Sequence, residues 1–289
     1  MVAYNKLRKE HVSYMVKKPK MIVSLAPSNT EILFALGLED EVIGVTALCD
    51  YPLLVKEKIK AGKISAIEGN LEVNVEKIVS LRPDLVLAAT SLQNRIAKTL
   101  KQHGLEVLLL DPGSISEVLE SIIMIGKIAG RASEAEDLAN SMKQRIGKIV
   151  DKTRDATYRP KIYYEEWYKP LITVSPRSYI NDVIELSGGI NLFRDPGNQL
   201  RNHQARTLEV SSEEIIQRNP EIIAVGWCGF KGRVNLEDIK KRAGWNSIEA
   251  VRNHKIYAVD ESLFARPGPR IVEGLELLAQ LAHPELFTA

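Results

Sequence analysis

The chain has 289 residues, 45% of them apolar and 26% charged, with a formal net charge of +2. That is the composition of a globular protein with room for two domains. So small a charge leaves no electrostatic footprint for nucleic acid. No stretch approaches the roughly 18 apolar residues of a membrane span, and two cysteines make no disulfide framework.

The first twenty residues carry Lys6, Arg8, Lys9, Lys17, Lys18 and Lys20 but no apolar run of the kind a secretory signal needs. They read as a solvated extension. Free Cys49 and Cys228 suit a reducing compartment. Together these predict a cytoplasmic location, or an extracytoplasmic one if a native export signal has been removed. Residues 21–26 then predict a strand, followed by a helix up to Gly37 on which Ser28 and Glu31 have capping-box spacing. A second strand, 42–47, ends in the turn Cys49-Asp50-Tyr51-Pro52. Next come a short helix after Glu76, a strand at 85–89, a helix at 91–103 and a strand at 105–110 stopped by Asp111-Pro112-Gly113. This β–α–β alternation predicts a mainly parallel sheet with helices on both faces.

Residues 133–157 break the alternation. Ala135, Leu138, Ala139, Met142, Ile146, Ile149 and Val150 form one apolar stripe at helical spacing, and Ser133 with Glu136 offers a second capping box. One continuous helix is predicted here. The alternation then resumes. Strand 161–165 runs into Glu165-Glu166-Trp167-Tyr168, and a helix near 178–187 closes at Gly188-Gly189. An irregular stretch, 194–207, holds Asn198, Arg201, Asn202 and His203. Strand 221–226 runs into Trp227-Cys228-Gly229-Phe230, and strand 255–259 follows. The turn Arg266-Pro267-Gly268-Pro269-Arg270 then leads into a last helix through Ala282.

The second half repeats a statement of the first. V-E-K-I-V-S-L-R-P-D-L-V-L-A (75–88) returns as S-E-E-I-I-Q-R-N-P-E-I-I-A-V (212–225), with Glu76 and Glu213 equally spaced before Pro83 and Pro220. The predicted fold class is therefore α/β: two Rossmann-like lobes joined by one long α-helix. The expected boundaries are 20–131 for the first lobe, 132–158 for the helix and 159–289 for the second lobe, with a ligand cleft between the lobes.

In open α/β sheets ligands sit at the carboxyl ends of the strands. Tyr51, Trp167, Tyr168, Trp227, Phe230 and Phe264 collect there in a chain with only 6% aromatics. Stacked on a flat ligand, each ring adds roughly 0.5–1.5 kcal/mol beyond area burial. Ser28, Asp50 and Arg266 are the candidate polar contacts, and Cys228 lies beside Trp227. No G-x-G-x-x-G, Walker or G-x-S-x-G signature occurs. No Cys/His set has zinc spacing, and His203 reads first as a surface histidine. Cys49 and Cys228 read as small apolar residues. A non-enzymatic binding protein without a resident cofactor or metal is expected, as a monomer.

S-L-A-P-S-N-T-E-I-L-F-A-L-G (24–37), V-E-K-I-V-S-L-R-P-D-L-V-L (75–87), E-L-S-G-G-I-N-L-F (185–193) and R-P-G-P-R-I-V-E-G-L-E-L-L-A (266–279) resemble the substrate-binding proteins of ABC importers for cobalamin, haem and iron–siderophores, most of all the cobalamin branch. The resemblance implies two α/β lobes on one long helix and a corrinoid such as cobalamin as ligand. It also implies docking of Glu76 and Glu213 into arginine pockets of the importer's permease subunits. The stretch Ile64–Asn74 lacks the aromatic that cobalamin receptors carry there, and Leu48 and Ile172 replace aromatics of other relatives. Haem or a ferric siderophore is the alternative ligand, the latter gripped by Arg201, Arg266 and Arg270. A cytoplasmic tetrapyrrole chaperone or metal-inserting enzyme is the alternative class.

Overall fold

The computed structural model describes residues 18–69, 72–195, 205–229 and 234–287. Most of the basic N-terminal extension, Asn198, Arg201, Asn202, His203 and Phe230 lie outside the described residues. The chain divides into two compact units, one of residues up to Pro112 with Ser116–Ser141, the other of Gly113–Ile115 with Met142 onward.

The first unit is built on five parallel strands: β1 (Ile22–Ser24), β2 (Val42–Thr46), β3 (Ser65–Ile67), β4 (Leu85–Ala89) and β5 (Val107–Leu110), in the order β3-β2-β1-β4-β5. A parallel sheet must bury both faces, so β4 reads L-V-L-A-A with every residue buried. Val23, Leu25, Val86 and Ala88 face a core completed by Ile78, Ile96 and Leu100. Ile78 comes from α3 (Val75–Ser80) and the other two from α4 (Asn94–Gln102), while α1 (Pro27–Ala35) follows β1 and α2 (Leu53–Lys60) follows β2. The carboxylate of Asp84 accepts the backbone N–H groups of Lys20 (2.8 Å) and Met21 (3.0 Å), which anchors the start of β1 to the start of β4.

Helix α5 (Ile115–Ala129) was not expected from the sequence. It buries Val118, Ile122, Ile125 and Ala129, a three- and four-residue spacing interrupted by Glu117, Glu120 and Lys127. The long helix is α6 (Ala132–Thr153). It is unbroken, stops short of the predicted end, and places Ser133 inside its first turn. Ser141 belongs to the first unit and Met142 to the second.

The second unit holds β6 (Lys161–Tyr168), β7 (Leu171–Val174), α7 (Tyr179–Leu186), β8 (Ile190–Asn191), β9 (Thr207–Glu209), α8 (Ser212–Arg218), β10 (Ile222–Val225), α9 (Leu236–Lys240), α10 (Glu249–Arg252), β11 (Ile256–Ala258), α11 (Ile271–Ala282) and α12 (Pro284–Phe287). Its sheet runs β11-β10-β6-β7-β9, with β8 beside the start of β6. Strands β6, β8, β10 and β11 are mutually parallel, while β7 turns back antiparallel to β6 and β9 to β7. This hairpin is a departure from the expected parallel plan, made by the two-residue Lys169-Pro170 turn between a long β6 and the L-I-T-V run. Trp245, Tyr163 and Phe193 are wholly buried in this unit's core.

One predicted cap is corrected. Helix α1 starts at Pro27 with Ala26 at its N-cap and no side-chain cap, so Ser28 and Glu31 are buried helical residues and not a capping box. Proline suits that position because its missing N–H has no helical partner.

Candidate functional site

The carboxyl end of β6 carries the densest chemistry among the described residues. Strand β6 reads K-I-Y-Y-E-E-W-Y, so two carboxylates sit between two aromatic pairs. Glu165 is wholly buried, and its side chain takes a two-pronged ion pair from Arg242 at 2.5 and 2.7 Å. Its Oε1 also accepts the indole N–H of Trp227 at 2.9 Å. A lone buried carboxylate costs several kcal/mol in desolvation, and this saturation with donors offsets it. The Arg242 guanidinium in turn lies 4.4 Å over the Trp245 ring.

This network fixes an aromatic group. Tyr168 packs 4.6 Å from Trp227, centroid to centroid, at 32° between the ring planes, and Trp167 packs 5.3 Å from Tyr168. The Trp167 indole N–H donates to the Lys169 carbonyl at 3.1 Å. Of the expected ligand aromatics, these three are brought together. Phe264 has no exposed surface, its ring centroid 5.4 Å from that of Tyr164. Tyr51 lies on the first unit and is exposed.

Glu166 departs from its neighbours. Opposite β7, Glu165 pairs with Thr173 and Trp167 with Ile172, so Glu166 is the extra residue of a β-bulge. Bulges re-aim side chains and are frequent beside functional sites. Its Oε2 is buried with no hydrogen-bond partner among the described residues, and burial pushes the carboxyl up to about 7. Cys228 follows β10 at the next strand. It is exposed, yet partial burial and then Glu166 and Glu261 push its thiol up to about 12, against the opposing charge of Arg266. Burial, then Glu166 and Cys228, push the Tyr164 hydroxyl well up. Gly226 is required here, since a Cβ would stand 2.3 Å from the Tyr164 hydroxyl.

The carboxyl ends of the first unit's strands carry a different set. Ser28 is buried in α1, while Asp50 is partly exposed with Lys56 4.0 Å away. Leu48, Tyr51, Leu53 and Leu92 are exposed around them. Thr90, just after β4, holds φ at 64°, a conformation a β-branched residue adopts only under constraint. Gln93 supplies that constraint, accepting from Ala89 N–H and donating to the Leu25 carbonyl. Cys49 is buried, its Sγ 3.4 Å from the Thr46 hydroxyl. No cluster of His, Cys, Asp and Glu suited to a metal ion occurs among the described residues, and no described helix is long and apolar enough to cross a membrane.

Glu76 and Glu213 stand exposed in the first turns of α3 and α8. Capping is done by others. Asn74 accepts from Lys77 N–H, and Ser211 forms a reciprocal capping box with Glu214.

Glu165, Glu166 and Arg242 were not among the residues the sequence singled out. Two adjacent acids inside a strand of aromatic and β-branched residues are the signal that could have found the first two. Nothing near Arg242 marks it, because its partner lies far away in the chain.

Comparison with known proteins gives the wider setting. A family model described as "Periplasmic binding protein" matches residues 22–263. An uncharacterized ABC transporter substrate-binding lipoprotein of Bacillus subtilis is 38% identical over 278 residues, covering 94% of this chain and 82% of that relative. A vitamin B12-binding protein of Vibrio parahaemolyticus is 29% identical over 265 residues, covering 90% and 89%. A crystal structure of a possible iron-binding (periplasmic solute-binding) protein of Staphylococcus epidermidis is 33% identical with a TM-score of 0.75, covering 92% and 99%. The expected cytoplasmic location is corrected by these relatives, which are lipoproteins or periplasmic proteins. The amino-acid composition of a folded lobe does not record the side of the membrane on which it works. With a match over most of its length and two α/β units, the chain belongs to the periplasmic binding protein family, the substrate-binding proteins of ABC transporters.

Proposed function

We propose that the protein captures a corrinoid such as cobalamin and delivers it to an ABC importer. The observation that carries this reading is the group Trp167, Tyr168 and Trp227, held by the Glu165–Arg242 pair at the carboxyl ends of β6 and β10. Pre-set rings give a broad apolar face without the entropy cost of ordering it on binding. That suits the flat ring of a corrinoid, and the Vibrio relative is a vitamin B12-binding protein. Arg266 and Cys228 on this unit are the proposed further contacts, and Ser28, Asp50 and Tyr51 are the first unit's own candidates for ligand contact. Glu76 and Glu213, exposed and free of capping duty, are the proposed permease contacts, where carboxylates form charge-assisted bonds to arginine. A second reading, an iron chelate such as haem or a ferric siderophore, draws on the Staphylococcus relative.

A thermal scan with each ligand separates the two. A ligand at 100 times its dissociation constant stabilises by about 2.7 kcal/mol. Cobalamin is expected to raise the melting temperature and quench the tryptophans. No shift with cobalamin, beside a clear shift with haem or a ferric siderophore, transfers the assignment to the second reading.

A further inference from the structure

We propose that Glu166 contacts the ligand as a neutral carboxylic acid, its O–H donating to a carbonyl oxygen on the ligand's rim. This rests on the corrinoid reading above and extends it, since a corrinoid ring is rimmed by neutral amides. The argument starts from the bulge. It sets Glu166 out of register with the β6–β7 ladder, at the residue that precedes Trp167 and Tyr168 in the chain, with Tyr164 and Cys228 as its neighbours. Its Oε2 is buried, and no group among the described residues answers it. A buried polar atom left without a partner costs free energy, and such sites persist where a ligand completes them.

The surroundings decide which protonation state does the completing. From β6 itself comes the Tyr164 hydroxyl, and from the segment after β10 the Cys228 thiol. The turn after β11 brings Glu261, followed by Arg266. Tyr179 at the start of α7 faces the same tyrosine, and Arg270 is turned to the Ser262 hydroxyl at 3.2 Å. No arginine or lysine forms an ion pair with Glu166 among the described residues, whereas Glu165, one residue away, has Arg242. The thiol and the tyrosine hydroxyl stay protonated across the neutral range, and burial keeps the Glu166 carboxyl near neutrality at about 7. A neutral acid is a donor, and a carboxylate is an acceptor only. The site therefore matches a carbonyl oxygen, and above its own titration it turns against one.

The test is equilibrium binding by the full chain at pH 6 and pH 8.5, with cobalamin, haem and a ferric siderophore as separate probes. Wild type is compared with Glu166→Gln, which keeps an N–H donor at every pH, and with Glu166→Leu, which has none. Circular dichroism checks that each variant is folded. For cobalamin, wild type is expected to bind roughly tenfold more weakly at pH 8.5 than at pH 6, the loss of one hydrogen bond. Glu166→Gln should bind equally at both pH values, and Glu166→Leu roughly tenfold more weakly than wild type at pH 6. If wild type and Glu166→Gln weaken in parallel, or if Glu166→Leu matches wild type at pH 6, the proposal is overturned. Should cobalamin bind no variant while another probe does, the corrinoid reading fails and Glu166 is judged on that probe. A pH dependence removed by Gln then upholds the contact, and one that Gln leaves intact overturns it. If none of the three probes binds, both ideas fall.

Discussion

The two units solve one problem alike and another differently. At the amino ends of their central strands each uses the acid that follows a proline. Asp84 takes the N–H groups of Lys20 and Met21 before β1. Glu221 takes Lys161 N–H at 2.9 Å and the Tyr158 hydroxyl before β6. In both cases the acid stands one residue before the strand that pairs with the one it anchors. At the carboxyl ends the plans part. The first unit ties its strand ends with neutral groups, Asn29 to the Ala88 carbonyl and Gln93 to Ala89 and Leu25. The second buries an ion pair, Glu165 with Arg242, and a second carboxyl, Glu166. The lesson is that the repeated half of the sequence secures the sheets, while the half that differs carries the chemistry.

That contrast can be broken most sharply at Arg242. Arg242→Met strands a wholly buried carboxylate, and urea unfolding should show a loss of about 3–5 kcal/mol. Gln93→Ala, the corresponding injury to the first unit, should cost only about 1–3 kcal/mol, because a neutral amide is lost. Equal losses would erase the distinction between the two carboxyl ends.

Next in size is the pH dependence of stability. The Glu166 carboxyl is raised from an ordinary 4.5 to about 7 in the folded chain. The folded state therefore binds the proton more tightly than the unfolded chain does. Its stabilising effect is full below pH 4.5, falls as pH rises, and is gone above pH 7. The span is at most about 3 kcal/mol. Thermal unfolding of Glu166→Gln across this window should lack that decline. A wild-type profile identical to that of the variant would remove the buried acid from the comparison.

Smaller and matched effects are expected at the shared end. Asp84→Ala and Glu221→Ala should each lose about 1–2 kcal/mol of stability, similar in both units. A large disparity in chemical denaturation would show that the two anchors are not equivalent. Smallest of all, Glu76→Ala and Glu213→Ala together should change stability within about 0.5 kcal/mol and leave ligand affinity unchanged, yet abolish association with a cognate permease in a pull-down. Loss of ligand affinity would place them in the service of the site.

The parts legible in the sequence are those written in local periodicity. The repeated Glu–Pro–acid pattern gave both helix–strand units, and the apolar stripe from Ala135 to Val150 gave the long helix. Strands β1, β4 and β10 were readable as short apolar runs. Much of what escaped depended on distant partners. Helix α5 did show a helical spacing at Val118, Ile122, Ile125 and Ala129 that went unread, and β7 is only four residues long. The aromatic group was readable by composition, as Trp167, Tyr168 and Trp227 cluster at strand ends. Its support was not, because Arg242 and Glu165 meet only through the fold. The start of α1 was legible in Pro27, which suits a first helical position, but the Ser28–Glu31 spacing masked it.

The crowding around Cys228 has a consequence for how the protein ages. Its surroundings hold the exposed thiol up to about 12. At neutral pH the thiolate is therefore depleted relative to an ordinary cysteine. The thiolate is the species that attacks disulfides, peroxides and alkylating reagents. An ordinary surface cysteine is open to capping and cross-linking in oxidising surroundings, whereas this one should react with a maleimide more slowly than free cysteine at pH 7. An unpaired thiol held in this way is less of a liability in oxidising surroundings than an ordinary surface cysteine.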